Sequence, residues 1–431
     1  MSKIWSKQEG QENESSSWLE EFTVGNDYLL DQHLLPYDIR GSLAHARGLL
    51  KINVLSKEEF DAIESALEKL LELDKTNGFP IEQRHEDMHT AIEEYLTEEC
   101  GDAGKKIHTG RSRNDQVLCA LRLYEKDQLD LASSAIEDLT KQFISFAEEY
   151  QWQPMPGYTH TQPAMVSSVG MWAASYAEML ISSKEIINFT QETIDYCPLG
   201  TAAGYGVNLD LPREEIAAEL GFKAPMTISM TAQFSRGRWE ASIVHAISTV
   251  TSILSQLASD LILFSSKEFG LFSISDELTT GSSIMPQKKN LDVAELMRAK
   301  HQQVIAEQHK LQQITSNLIS GYHRDLQLTK EPIIIAFSTG QSMIRAASML
   351  IKNLNINTDI LESKIYPELY AADEAYELVK KGIPFREAYK EIGNNLDNLT
   401  MKDTSAHIKK SSHLGSTGNL GLEVLKKRLD K

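Results

Sequence analysis

The segment at residues 278–290 holds the densest group of side chains suited to binding an anion. It reads LTTGSSIMPQKKN and places a glycine, two serines, two lysines and an asparagine ahead of a predicted long helix. A Gly-rich loop at a helix start suits an anion, because free N–H groups and the helix dipole face it. The order of residues differs from a P-loop, which needs a glycine directly before the lysine and Ser or Thr after it. Taken alone, the segment fits a solvated basic loop as well as a binding site.

His160 is the first candidate for proton transfer. It lies in the segment MPGYTHTQPA at residues 155–164, and an imidazole changes its charge near neutral pH. The same side chain could instead cap a turn in this Pro- and Gly-containing segment. With twelve histidines in the chain, a chance placement is easy, so position alone does not decide between the two interpretations.

Two further patterns match known motifs only superficially. HEDMH at residues 85–89 fits the zinc-protease pattern HExxH, in which both histidines lie one turn apart on a helix. That pattern is short and recurs by chance, so we expect no zinc there. Gly200, Gly204 and Gly206 suggest a dinucleotide loop, but no predicted strand precedes them and no βαβ unit surrounds them.

The composition predicts a soluble globular protein without a nucleic-acid or membrane partner. The 431 residues carry a formal net charge of −18, whereas a nucleic-acid-binding protein needs a basic face. Cys100, Cys119 and Cys197 are widely spaced, which favours reduced thiols over a disulfide or zinc framework. The polar N-terminus lacks the apolar core of a signal peptide, and the longest apolar stretches are short for a membrane span. We therefore expect a cytoplasmic protein.

The elements that must position these residues are long helices. Residues 111–153, 238–269 and 291–320 contain neither Gly nor Pro, and each stretch far exceeds the average helix of about 11–12 residues. Apolar residues recur in them at spacings of three and four, as expected for helices that bury one face. Long helices of this kind are typical of an extended helical bundle. The regions between them are rich in Gly, Pro and polar residues, and loops held by rigid rods are where binding residues concentrate.

The same distribution predicts three domains. Residues 1–105 read as a small helical domain, in which residues 56–73 form an amphipathic helix with a Ser cap and an acidic first turn. Residues 106–355 would be the central long-helix bundle carrying most of the site loops. Residues 356–431 would be a second small helical domain.

Seven motifs together resemble the fumarase/aspartase superfamily and, within it, the argininosuccinate lyases. GSSIMPQKKN at residues 281–290 is similar to the signature loop of the superfamily. HTGRSRNDQV and MPGYTHTQPA, at residues 108–117 and 155–164, resemble blocks of the argininosuccinate lyases. The other matching blocks, which complete the family order across almost the whole chain, are EDMH (86–89), PLGTAAGYG (198–206), GYHRDLQLTKE (321–331) and KGIPFREAY (381–389).

This resemblance implies a fold, an assembly and a reaction. The implied fold is all-α, with a central long-helix bundle, and the implied assembly is a homotetramer whose active sites each combine blocks of three subunits. The implied reaction is β-elimination of argininosuccinate to L-arginine and fumarate, the last step of arginine biosynthesis, without metal or cofactor.

The resemblance also implies roles for individual residues. Ser282 is the expected base, with its alkoxide stabilised by Lys288. His160, held by Glu295, is the expected proton donor or relay. The expected substrate-binding residues are Ser112, Arg113, Asn114, Thr159, Asn290, Tyr322, Gln327 and Lys330, with Asp87 and His89 lining or ordering the site.

Three departures from the family pattern stand out. Leu291 replaces a usual Pro, and Asp27 lies where a substrate-binding Ser is usual. SMTAQFSRGRWE at residues 229–240 replaces an Asp-Arg-Asp version, which leaves Arg236 and Arg238 without an assigned role. The alternatives are a sister lyase acting on adenylosuccinate, aspartate or a related succinyl compound, and an inactive crystallin-like structural homologue. Retention of the four expected catalytic residues argues against inactivity.

Overall fold

The structure is a computed structural model, and it describes residues 14–430 apart from the side chains of residues 14–17, 20 and 77. Most of the polar N-terminus from which we predicted the absence of a signal peptide lies outside the described residues, as do the first 13 residues of the predicted 1–105 domain.

Short and medium helices precede residue 113. They are α1 (Glu14–Val24), α2 (Asp27–Asp31), α3 (Leu35–Lys51), α4 (Lys57–Asn77), α5 (Met88–Cys100) and α6 (Asp102–Lys105). Helix α4 begins at the predicted Ser cap: Ser56 Oγ accepts the Glu59 N–H at 3.2 Å, and the Glu59 carboxylate accepts the Ser56 N–H at 2.9 Å. This capping box satisfies two of the N–H groups that a helix start leaves unpaired. The helix continues past the predicted end at residue 73 to Asn77.

Long helices dominate the middle of the chain. The helices there are α7 (Arg113–Glu149), α8 (Val169–Ile194), α9 (Arg213–Glu219), α10 (Ser229–Ser235), α11 (Arg238–Phe264), α12 (Asp292–Ile314) and α13 (Lys330–Lys352). The three Gly- and Pro-free stretches coincide with α7, α11 and α12, trimmed by a few residues at most ends. Short helices follow: α14 (Thr358–Ser363), α15 (Ala371–Lys380), α16 (Phe385–Gly393), α17 (Thr404–Ile408) and α18 (Leu422–Leu429). The prediction of an all-α fold is confirmed.

Short strands interrupt this helical architecture. Among residues 14–430 they are β1 (Pro154–Thr159), β2 (Gln162–Ser168), β3 (Tyr196–Cys197), β4 (Ala224–Pro225), β5 (Phe272–Ile274) and β6 (Leu354–Ile356). Strands β1 and β2 pair antiparallel, from Pro154 with Ser168 to Thr159 with Gln162. The sequence indicated only a loop at residues 154–163, and that part of the prediction is wrong. Three prolines and the lack of an alternating apolar pattern conceal the hairpin, because pairing there depends on the turn geometry.

The chain divides into two compact units. The first comprises residues 14–129, 191–242 and 308–334 of the described chain, and the second comprises residues 130–190, 243–307 and 335–430. The sequence analysis predicted three domains, with boundaries at 105/106 and 355/356. The division into two units does not test those boundaries, which stay predictions.

The first unit contains a buried ionic cluster formed by Arg122, Glu125 and Glu240. All three side chains are fully buried. The Arg122 guanidinium pairs with the Glu125 carboxylate and with Glu240 at 3.0 Å, and it lies 4.9 Å from the ring centre of Trp239. Burial raises the pKa of Glu125 well above its usual value, and the nearby Glu240 carboxylate adds to this rise although Arg122 opposes it. One arginine therefore compensates two carboxylates that are fully buried.

The core of the second unit is aromatic. Phe143 stacks on Tyr176 at 5.6 Å, and Trp172 contacts both Tyr176 and Phe272 at 5.4 and 5.1 Å between ring centres. The Asp260 carboxylate accepts hydrogen bonds from the Trp172 indole N–H at 2.9 Å and the Tyr176 hydroxyl at 2.6 Å. These bonds satisfy the polar ends of two large rings, as burial of Trp and Tyr requires.

Two helical stretches, Arg238–Phe264 and Arg324–Lys352, are long and apolar enough to cross a membrane by length and composition alone. In each, 56% of the most apolar window is buried within the protein. Core helices of soluble proteins pass the same test, so the two stretches are weak evidence for a membrane span.

Candidate active site

The loop before α7 is fixed by hydrogen bonds from several elements of the first unit. The Thr109 carbonyl lies 2.9 Å from His45 Nε2, and the Arg111 guanidinium donates to Ser42 Oγ at 2.8 Å. The fully buried Asp115 carboxylate accepts N–H groups from Ser112 at 2.9 Å, Gly200 at 2.9 Å and Ala202 at 2.8 Å. Asp115 thereby joins the HTGRSRNDQV segment to the PLGTAAGYG segment. This positions the predicted residues Ser112, Arg113 and Asn114 at the start of α7.

Arg113 is oriented by the residues that begin α5. Its guanidinium donates to Asp87 Oδ2 at 2.7 Å and to Thr90 Oγ1 at 2.9 Å. Asp87 also caps α5, because its Oδ1 accepts the Thr90 N–H at 2.9 Å. Burial raises the pKa of Asp87, but the charges of His89 and Arg113 and the bonds from Thr90 outweigh it and hold the pKa below its usual value. The prediction that Asp87 orders the site therefore has a geometric basis, although its role in catalysis stays a prediction.

Residues 85–89 do not form the single continuous helix that a zinc-binding HExxH motif requires. His85 lies in the 3₁₀ turn Gln83–His85, Glu86 has a left-handed φ of +66°, and α5 begins only at Met88. His85 and His89 therefore do not occupy successive turns of one helix, as the HExxH pattern had suggested. The buried His89 Nδ1 lies 2.7 Å from Asp38 Oδ2. Burial lowers the pKa of His89, but the carboxylates of Asp38 and its neighbours outweigh this effect and raise it.

Lys330 lies between two carboxylates of α2. Its Nζ is 2.7 Å from Asp27 Oδ1 and 2.6 Å from Asp31 Oδ1, and its side chain is only 2% exposed. Asp31 is held in turn by the Met88 N–H, which donates to Oδ2 at 3.1 Å. Burial lowers the pKa of Lys330, but the two carboxylates outweigh it and raise the pKa above its usual value. The two carboxyl groups therefore favour the charged form of the ammonium in its buried position.

These side chains surround one cavity of about 230 Å³ within the first unit. The cavity brings together seven of the predicted site residues, which are Asp87, His89, Arg113, Asn114, Tyr322, Gln327 and Lys330. Asp27, Arg236 and Arg324 also line it. The Gln327 amide donates to the Thr23 carbonyl at 3.0 Å, so this side chain holds the end of α1 beside the cavity. Blocks almost 300 residues apart in sequence thus meet at one place.

The signature loop belongs to the second unit and is closed at its base. The Thr280 N–H donates to the Asn290 carbonyl at 3.0 Å and the Asn290 N–H to the Thr280 carbonyl at 2.8 Å. Ser282 Oγ lies within 3.2 Å of the Met285 N–H and 3.4 Å of the Ile284 N–H. The Lys288 side chain is exposed. The loop therefore surrounds the Ser282 oxygen with backbone donors, and Leu291, at the usual Pro position, is buried at the start of α12.

Thr159 and His160 lie at the tip of the β1–β2 hairpin, and both are exposed. His160 and Thr161 have φ values of +51° and +61° between the paired residues Thr159 and Gln162. Two central residues with positive φ characterise the type I′ turn, which Asn-Gly favours. A β-branched residue such as Thr161 is rare in this conformation. The tip of the hairpin is therefore strained where the predicted proton donor sits.

Glu295 lies exposed in the first turn of α12. Both side chains are exposed, and within the described part of the second unit no hydrogen bond or ion pair joins Glu295 to His160. Their expected contact is therefore absent from a single chain and stays a prediction for an assembly of several chains.

The sequence analysis missed several residues that position the predicted ones. Asp31 holds Lys330, Asp38 holds His89, and Asp115 connects two loops. The spacing of Asp27 and Asp31, four residues apart, could have indicated two carboxylates on one helix face. Asp38 and Asp115 carry no comparable signal, because their partners lie 51 and 85 residues away in sequence.

Comparison with known proteins identifies the family. A family model described as Lyase matches residues 13–306. The argininosuccinate lyase of Sorangium cellulosum is 43% identical over 95% of both chains, and that of Thermotoga neapolitana is 40% identical over 90% of this chain and 97% of its own length. The class II fumarase of Schistosoma mansoni has the same fold, with a TM-score of 0.75 at 18% identity over 89% of this chain and 93% of that chain. The chain is therefore a lyase that belongs to the argininosuccinate lyase family.

Proposed function

We propose that this enzyme cleaves argininosuccinate to L-arginine and fumarate by β-elimination. The observation that carries the proposal is the similarity to argininosuccinate lyases over 95% of the chain, together with a first-unit cavity lined by the motif residues of that family. We further propose that it acts in the cytoplasm, because the wide spacing of its three cysteines favours reduced thiols.

The elimination places one dominant electrostatic demand on the enzyme. Removal of the proton next to a carboxylate gives a carbanion that can delocalise only into that carboxylate, which becomes doubly charged. Donors and positive charge placed where this charge develops lower the barrier most. The signature loop supplies them through its backbone N–H groups, Lys288 and Asn290. Closure of the loop over the substrate would also exclude water.

Ser282 is the proposed base. A serine hydroxyl is intrinsically a poor base and needs stabilisation of its alkoxide. The two backbone N–H groups within 3.4 Å of Ser282 Oγ support this role, and Lys288 would add charge. His160 is proposed to pass a proton to the departing nitrogen. Arg113 suits a bidentate contact with a substrate carboxylate, beside Ser112, Asn114 and Thr159.

We expect the enzyme to cleave argininosuccinate much more efficiently than adenylosuccinate or aspartate. Incubation of the purified enzyme with argininosuccinate should raise fumarate absorbance, at a kcat/KM well above that for adenylosuccinate or aspartate, because the cavity presents charged groups for an amino-acid-like half. Treatment with a chelator should leave the rate unchanged. A reversed substrate ranking would place the enzyme in a sister family, and loss of activity on chelation that zinc restores would favour metal chemistry at HEDMH. A folded protein inactive on all three compounds would favour a structural role.

We also propose a homotetramer with shared active sites. Large apolar side chains are exposed on α8 and α12, including Met179 (52%), Phe189 (70%) and Leu296 (58%). Exposed apolar groups of this size are characteristic of interfaces. A tetramer would also let Glu295 of one chain reach His160 of another.

Light scattering at micromolar concentration should therefore give about four times 48.4 kDa. Substitution of Phe189 by Glu should shift the mass towards smaller species and reduce activity in parallel, because shared sites need closed symmetry. Substitution of Ser175, an exposed residue of α8, by Ala should change neither. A monomer with full activity would contradict the shared-site proposal.

A further inference from the structure

The β1–β2 hairpin needs support from other parts of the second unit. It is a two-stranded sheet, and a two-stranded hairpin alone is at best marginally stable in water. Residues 159–163 at its tip are exposed, and His160 and Thr161 have left-handed φ values of +51° and +61°. Strained conformations of this kind persist only where the surrounding structure holds them in place. The position of the His160 imidazole therefore depends on contacts made farther along the two strands.

Support for β2 comes from the C-terminal part of the second unit. Helix α17 packs against both strands of the hairpin, and the 3₁₀ turn Pro367–Tyr370 packs against β2. Val166 of β2, which lies opposite Pro156, packs against a cluster of buried side chains. The members of this cluster are Ile365, Leu369 and the fully buried Tyr370. Val166 lies four residues beyond Gln162, so the contact is about 13 Å from the turn along the strand.

Tyr370 is held in one orientation within this cluster. Its hydroxyl lies 2.8 Å from Thr404 Oγ1, and its ring meets the His407 imidazole edge to face at 4.8 Å between ring centres. His407 is held in turn by Asp373, whose Oδ2 lies 3.0 Å from the imidazole Nε2. Thr404 and His407 both belong to α17. Tyr370 therefore connects the side chain of Val166 in the hairpin to two residues of α17.

The β1 strand has weaker support from the same region. Trp152, two residues before β1, has the Lys409 ammonium 5.2 Å from its ring centre, and Lys409 directly follows α17. Because the Trp152 side chain is 38% exposed, this cation–π contact contributes little. A fully buried aromatic ring contributes far more through its apolar area. Tyr370 is therefore the main C-terminal support of the hairpin.

We propose that Tyr370 is a positioning residue for catalysis, which holds β2 through Val166 and thereby places the His160 imidazole for proton transfer. The proposal rests on the proposed function and on the role given there to His160. It also gives a task to residues 356–431, which contain none of the residues expected to bind substrate or transfer a proton.

Replacement of Tyr370 by alanine should lower kcat at saturating argininosuccinate by about 10²-fold, the cost of displacing a reacting group by about 1 Å. Tyr370→Phe removes only the hydroxyl and should retain most of the turnover, because the ring still packs against Val166. Tyr376→Ala removes an aromatic ring of α15 that is 49% exposed, and this control should leave kcat unchanged. Val166→Ala reduces the same contact from the hairpin side. It should cause a smaller loss of kcat and provides the test if Tyr370→Ala does not fold.

A double-mutant cycle with His160→Asn separates positioning from general destabilisation. If Tyr370 acts through His160, adding Tyr370→Ala or Val166→Ala to His160→Asn should cost no further turnover. The acidic side of the pH profile, which we expect His160 to determine, should change in Tyr370→Ala but not in Tyr370→Phe. Circular dichroism confirms that each variant is folded under the assay conditions.

The outcomes distinguish the positioning role from the function on which it rests. Losses that multiply in the double variants, or full turnover in both folded Tyr370→Ala and Val166→Ala, would overturn the role of Tyr370 alone. Normal turnover in His160→Asn would overturn both this role and the proton transfer assigned to His160. A wild-type enzyme that releases no fumarate from argininosuccinate would overturn the proposed function as well.

Discussion

Replacement of Ser282 by alanine should lower turnover by about 10²–10⁴-fold, the usual contribution of a general base. The loss should appear in kcat rather than in KM, because the hydroxyl acts in the transition state and contributes little to ground-state binding. Exchange of the carbon-bound proton of the substrate with solvent deuterium should fall by the same factor. The matched control is Ser273→Ala, which alters an exposed serine of β5 outside the loop and should leave all three quantities almost unchanged.

His160→Asn provides the complementary measurement. Its turnover should also fall, but its pH profile should change on the acidic side, since an imidazole titrates near neutral pH and a serine does not. Proton exchange at carbon should persist, because the histidine is assigned to the departing nitrogen. Near-normal turnover in Ser282→Ala would remove Ser282 as the base. Loss of exchange only in His160→Asn would reverse the two roles.

Replacement of Arg122 by methionine should lower the free energy of unfolding by about 3–5 kcal/mol. The substitution replaces a long side chain by another long one but removes the arginine that pairs with the fully buried Glu125 and Glu240 carboxylates. Urea denaturation at one fixed protein concentration, followed by circular dichroism, measures the change.

The pH dependence distinguishes charge from packing in that experiment. Burial raises the pKa of Glu125 in the folded state. Above the ordinary carboxyl pKa, Glu125 is therefore ionised in the unfolded chain while it still binds its proton in the folded protein. In that pH range the free energy of unfolding falls as the pH rises. This decrease in the free energy of unfolding with pH should be larger in Arg122→Met and smaller in Glu125→Gln. Arg122→Met combined with Glu125→Gln and Glu240→Gln should recover much of the lost stability. A loss of less than about 1 kcal/mol in Arg122→Met would show that the three groups do not behave as a buried ionic cluster.

The long helices could be predicted because their signal is local. Forty-three residues without Gly or Pro at positions 111–153, with apolar residues at helical spacing, leave few alternatives to a helix. Helix α7 begins at Arg113 and ends at Glu149, inside that stretch, because the absence of Gly and Pro permits a helix without fixing its ends. The β1–β2 hairpin escaped prediction because its register depends on two non-glycine residues with positive φ, which the sequence does not reveal.

Site residues that belong to a sequence motif could be predicted. The residues that pair with them could not, because they come from distant parts of the sequence. Motif matching indicated Arg113, Tyr322, Gln327 and Lys330, and the fold places them around one cavity. It did not indicate that Lys330 would be almost fully buried between two carboxylates, because burial depends on α2 packing beside the start of α13. The structure therefore adds the electrostatic context that decides what each motif residue can bind.

The left-handed turn at His160 and Thr161 has a consequence for how this enzyme can evolve. A non-glycine residue held in that conformation costs about 1–3 kcal/mol, so a library of hairpin variants selected only for folding should drift towards Asn-Gly at these two positions. Selection for catalysis should resist that drift if the imidazole is needed. Stability and activity would then oppose each other at a single dipeptide, and heat-tolerant members of the family would have to gain their stability elsewhere in the fold.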